Sequence, residues 1–169
     1  MKGAFFYHFK TKDALGVAAA NFWAETTSAL FASAPYYEPD DPLDRVLAYL
    51  DFRKVIIGGG ILEYTCRVGT MTQEVHDSAP AIRNACAASI FGHAATPEAD
   101  IEAAREHCGI DADWTVESLA RHTQAVLQGG FVLAKATGDP RLARETVDHL
   151  IRYVRDLFGV GPQTTKQEN

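Results

Sequence analysis

Six histidines and three cysteines are the residues of this 169-residue chain that invite a chemical reading, because imidazole and thiolate serve both as metal ligands and as partners in nucleophilic catalysis. Their spacing supports neither use. His107 adjoins Cys108, while His76, Asp77 and His93 are scattered, and His122 and His149 fall on separate predicted helices. There is no H-E-x-x-H and no pair of histidines one helical turn apart. Cys66, Cys86 and Cys108 are odd in number and widely spaced, without a C-x-x-C, so neither a disulfide framework nor a zinc ribbon is indicated. They are expected to be buried free thiols in a reducing compartment. Gly58-Gly59-Gly60 lacks the Lys-Ser/Thr of a phosphate-binding loop, and no G-x-S-x-G occurs. The expectation is a protein with no catalytic residues, no metal and no cofactor, hence not an enzyme.

Binding is better represented. Aromatic and soft side chains lie along the central helices: Phe22, Trp23, Phe52, Tyr64, Cys66, Met71, Phe91 and Trp114. Such a set suits an apolar small-molecule pocket with a few polar contacts, and it suits a packed core equally well. Arg53 with Lys54, and Arg67 alone, are candidates for recognising an acidic group on a ligand; a salt bridge or a solvated helix end is the alternative use.

The elements that must hold these residues read as helices throughout. Thr11 is a plausible N-cap with Asp13 in the first turn, and Leu15, Ala18, Ala19, Phe22, Trp23, Leu30 and Phe31 follow a helical period to about Ser33. Pro35, Pro39 and Pro42 mark a loop, and Asp41 caps a helix from Pro42 to about Ile57 that the three glycines end. A shorter helix is expected over about 65–74. Ser78 reads as the N-cap of a long alanine-rich segment to about His107, with a kink or a restart expected at Pro97 and Gly109 as terminator. Thr115 opens a helix to about Thr137. Gly138-Asp139-Pro140 stops it and starts the last helix, to Phe158, and residues 160–169 read as a flexible tail. No alternating strand pattern occurs. The fold class is all-α.

Charge is distributed unevenly. Residues 1–12 hold Lys2, Lys10 and Lys12 and no acid, whereas the rest holds 13 basic against 22 acidic residues, within a net charge of −6. Only the N-terminal end has the sign that phosphate requires. The apolar runs fall short of the ~18 residues that would suggest a membrane span, and Lys10, Lys12 and Asp13 end the first one too early for a signal peptide. A cytoplasmic protein is expected.

The opening stretch Met1-Lys-Gly-Ala-Phe-Phe-Tyr-His-Phe-Lys-Thr-Lys-Asp-Ala-Leu15 resembles TetR-family transcriptional regulators, at the end of their DNA-reading helix and the start of the next. The Lys-Gly, the Tyr-His-Phe, the Lys-x-Lys and the acidic-Ala-Leu carry the likeness. Glu63–Glu74, with its Cys and closing Gln-Glu, resembles a short helix of these proteins. Leu127–Ala136 followed by Gly138-Asp139-Pro140 resembles their last two helices. In that family roughly 30–45 residues, two helices and a turn, precede such an opening. The chain therefore reads as a regulator lacking most of its helix-turn-helix head. Residues 1–12 would be the remnant, 13–159 the ligand-binding and dimerisation domain.

The resemblance places Lys2, Gly3, Tyr7 and His8 at the DNA groove and Lys10 and Lys12 near phosphate. It implies a homodimer in which the last two helices pair with their copies. The stripes that fit are Leu119, Thr123, Val126, Gly130 and Leu133 on one helix, and Val147, Leu150, Ile151, Val154 and Phe158 on the other; filling a monomer core is the alternative. It further implies a transcriptional regulator, usually a repressor, that binds operator DNA in its full-length form and responds to a small apolar or amphipathic effector. A headless ligand-binding and dimerisation module is the alternative. One unsupported turn of helix is marginal in water, so the 169 residues by themselves are expected to bind operator DNA poorly.

Overall fold

The computed structural model describes residues 9–161. Among them are eight α-helices: α1 (Lys12–Ala32), α2 (Pro42–Val55), α3 (Ile61–Tyr64), α4 (Arg67–Val75), α5 (Pro80–Ala95), α6 (Glu98–His107), α7 (Val116–Thr137) and α8 (Pro140–Leu157), with a 3-10 turn at Pro35–Tyr37. The described residues contain no strand.

The punctuation is local chemistry. Thr11 Oγ1 accepts from the Ala14 amide at 3.0 Å and opens α1. Asp41 Oδ1 accepts from the amides of Leu43 and Asp44 at 2.8 and 3.1 Å, with Pro42 at the first helical position. Thr115 and Ser118 cap α7 reciprocally, and Asp139 caps α8 through the Arg141 amide at 2.9 Å. Gly138 adopts φ +76°, a left-handed conformation that closes α7 and that other residues rarely take. Two local expectations differ from the structure. The residue at the cap of α5 is Ala79, which offers no side-chain acceptor, so Ser78 does not cap it and Pro80 starts the helix. The glycine run is followed by the one-turn helix α3, which Glu63 Oε2 stabilises by accepting from the Gly60 amide at 2.8 Å. At Pro97 the expected interruption takes the form of a restart: one helix ends at Ala95 and the next begins at Glu98.

Two hydrophobic clusters hold the body together. The larger joins α2, α6, α7, α8 and the end of α1 around Leu50, Ile101, Leu127 and Val147. The smaller joins α1, α4 and α5 around Ala20, Val68, Ile82 and Cys86. α7 and α8 are connected by a two-residue link and lie very close, because Gly130 has no side chain: a Cβ there would sit 3.3 Å from Ala143 Cα and collide with Thr146 Oγ1. Ion pairs fasten α2 at both ends, Arg45 to Asp100 of α6 at 2.6 Å and Lys54 to Asp148 of α8 at 2.5 Å.

Candidate functional site

Between the two clusters the helices leave a cavity of about 240 Å³. Trp23, Thr27, Leu30 and Phe31 of α1 form one wall, and Arg53 and Ile56 of α2 another. Glu63 and Tyr64 of α3 with Cys66 form a third, and His93 of α5 and Gln124 and Phe131 of α7 complete it. Phe31 is the hinge of the aromatic lining. Its ring meets Phe52 edge-on at 5.4 Å and His93 at 5.1 Å, and the Arg53 guanidinium lies over it at 5.0 Å. Tyr64 faces Phe131 across 6.4 Å.

The polar groups in this wall are unusually underemployed. Arg53 is only 7% exposed, yet no carboxylate of the described residues pairs with it; one N–H donates to the Tyr49 hydroxyl at 3.1 Å. Tyr64 Oη and Gln124 Oε1 are buried without a hydrogen-bond partner among the described residues. Buried polar groups are ordinarily satisfied, since leaving one unpaired costs about 1–3 kcal/mol. His93 has a partner: its Nε2 lies 2.7 Å from Thr27 Oγ1. That hydroxyl is also 2.7 Å from the Trp23 carbonyl and gives its proton there. The histidine must therefore donate from Nε2, leaving Nδ1 as its acceptor. Burial, and then the nearby Arg53 charge, lower the His93 pKa to about 4, so the ring is neutral near pH 7.

Of the eight pocket residues expected from sequence, the structure brings Trp23, Tyr64 and Cys66 to the cavity. Phe22 and Phe91 are instead exposed, at 71% and 59%. Phe52 packs in the aromatic cluster behind Phe31, Met71 in the smaller core, and Trp114 against Phe158. Arg53 and Lys54 part company: Lys54 is taken by Asp148, and Arg67 stacks on Trp23 from outside the cavity lining. Sequence reasoning missed Phe31, His93, Gln124 and Phe131 as wall residues. Gln124 carried a readable signal, a polar side chain in register with Ala120, Leu127 and Phe131 on the buried face of α7.

The cysteines are free, Cys86 buried, Cys66 half-buried and Cys108 exposed, so burial does not describe all three. No group of described residues could hold a metal ion, and no described helix is long and apolar enough to cross a membrane. Lys10 and Lys12 are exposed; Lys2, Gly3, Tyr7 and His8, and most of the expected tail, lie outside the described residues.

The stripes assigned to subunit pairing sit differently from expectation. Leu119, Thr123, Gly130, Val147, Leu150, Val154 and Phe158 are buried within a single chain, and Ile151 packs against the larger core. The faces of α7 and α8 that remain open carry Val132, Leu133 and Tyr153, with a shallow groove of His122, Val126, Thr146, His149, Leu150 and Tyr153 between the helices.

Residues 42–150, which contain most of the cavity wall, match the family model described as "Tetracyclin repressor-like, C-terminal domain". The chain belongs to this family. Among solved structures the tetracyclin repressor-like fold is shared with the reduced form of NemR from E. coli. The TM-score is 0.69 at 22% identity, over 93% of this chain and 80% of that one. No curated protein matches the chain. Family membership and the all-helical body agree with the reading taken from the opening residues and the last two helices.

Proposed function

We propose that this chain is the effector-binding and dimerising body of a TetR-like transcriptional regulator, a repressor that works in the cytoplasm by binding rather than by catalysis. The observation that carries the proposal is the cavity walled mostly by the family-matched region, apolar in its lining and holding polar groups that no atom of the described residues satisfies. Its volume lies just below the ~300–1,000 Å³ of drug-sized sites, which suits a one- or two-ring effector. Because it is walled by α1, α2, α5 and α7 together, an occupant bridges both hydrophobic clusters. Binding would favour one mutual arrangement of α1 and the α7–α8 pair, and a ligand shifts such an equilibrium only through its differential affinity for the two states. Operator DNA would be contacted through the N-terminal segment that includes Lys2, Gly3, Tyr7, His8, Lys10 and Lys12, so a shift in α1 reaches the DNA.

The test of the cavity is calorimetric titration with a size-graded panel: benzoate, 2-naphthoate and biphenyl-4-carboxylate, each beside its neutral amide. Saturable binding of any member, abolished by the cavity-filling Ile56→Trp, is expected. No binding across the panel overturns the reading. Homodimerisation is supported by the open apolar residues of α7 and α8, with Leu133, and Val126 in the groove, the members of the expected stripes that remain on that face. Sedimentation at micromolar concentration should give a dimer that Leu133→Glu converts to a folded monomer; a monomeric wild type overturns it.

A further inference from the structure

Resting on the cavity reading, we infer that the effector is an organic carboxylate: a monoanion with an apolar ring body, whose carboxylate pairs with the Arg53 guanidinium while the ring lies among Trp23, Phe31 and Phe131. A guanidinium is always protonated and is rarely buried without a counter-ion, because removing an ion from water is costly unless another charge compensates. Arg53 is 7% exposed, lines the cavity and has no ion-pair partner among the described residues. The charged groups nearest in the wall do not supply one. Glu63 is at the cavity edge, but its carboxylate is turned back onto the Gly60 amide at 2.8 Å. His93 is neutral near pH 7 and donates to Thr27 rather than competing as a cation. Lys54, the neighbouring cation, is consumed by Asp148.

The second observation is independent of Arg53. Tyr64 Oη and Gln124 Oε1, 7% and 6% exposed as residues, are unpartnered in the same wall. A carboxylate is acceptor-only, so it takes N–H bonds from the guanidinium and the O–H of Tyr64. The Gln124 amide can turn its NH₂ to the same anion or keep its oxygen for a donor elsewhere on the ligand. A planar carboxylate fits the guanidinium fork with two parallel bonds. The apolar lining and the single unpaired cation disfavour a phosphate, whose charge near neutrality approaches two.

The test lies within the same panel, so its failure is separable from failure of the cavity. In the wild type, each acid that binds should do so at least about tenfold more tightly than its amide, the ratio expected for a hydrogen bond to a charged group. Arg53→Met should remove that preference while the amide still binds; Arg53→Lys, which keeps the charge and loses the fork, should restore part of it. Amides that bind as well as the acids overturn the carboxylate inference and leave the cavity standing. Absence of binding by all six probes overturns both. The wild-type comparison decides the matter even if Arg53→Met fails to fold.

Discussion

The larger core and the cavity share α2 and α7, yet they obey opposite rules. On α7, Leu127 is 1% exposed inside the packed cluster, while Gln124, one turn earlier, is also buried, with an unpaired oxygen. On α2, Leu50 fills the core and Arg53, one turn later, holds a charge against an aromatic ring without a counter-ion among the described residues. The core gains from every atom placed in it. The cavity wall forgoes such gains, and that contrast is what marks it as a binding site. Stability and occupancy should therefore respond in opposite ways to substitutions a single helical turn apart.

The largest expected effect tests the core side of this contrast. Leu127→Ala should destabilise the protein by about 2–5 kcal/mol in urea unfolding, since the lost side chain leaves a void that close packing cannot refill. A cost below about 1 kcal/mol would mean that α7 is not anchored there. Next comes Gly130→Ala, expected to cost about 1–3 kcal/mol because the new methyl must push Thr146 and the α8 backbone away. A neutral result would show that the two helices have slack.

On the cavity side, Gln124→Leu removes a buried unpaired polar group and should be neutral or stabilising by about 1 kcal/mol, while weakening any carboxylate or amide that binds the wild type. Loss of stability would place Gln124 under the rules of the core instead. The last effect is electrostatic and shows only in the pH dependence of stability. His93 has a folded-state pKa of about 4 against an ordinary 6.5. It thus binds fewer protons when folded than when unfolded in that window. Its contribution to stability is fully present above pH 6.5 and is lost as pH falls from 6.5 through about 4. His93→Gln, which retains a donor for Thr27, should flatten the pH dependence of unfolding between those values; identical profiles would refute the buried neutral histidine.

Much of the scaffold was legible in the residues because it is punctuated locally. Thr11, the Asp41-Pro42 pair, Thr115 and the Gly138-Asp139-Pro140 stop each act within a few positions, and each lies where a helix begins or ends. Expectation and structure diverge where nearby residues do not decide the outcome. Ser78 is a good capping residue, but the chain starts α5 at Pro80 without it. Phe22 and Phe91 have the chemistry of a pocket residue and point away from it, since aromatic character does not say which side of a helix meets a neighbour.

The sequence by itself determined an all-helical body, the ends of most of its helices and, through the opening residues and the last two helices, its family. Those properties depend on side chains a few positions apart and on an ordered pattern of residue types. Only the tertiary structure decided which faces are spent inside one chain. It placed Gly130, Val147 and Val154 within the protomer, leaving Val132, Leu133 and Tyr153 open, and it joined Arg53, Tyr64, His93 and Gln124 around one cavity. These four residues come from four helices, and no spacing along the chain encodes the crossing of helices that brings them together.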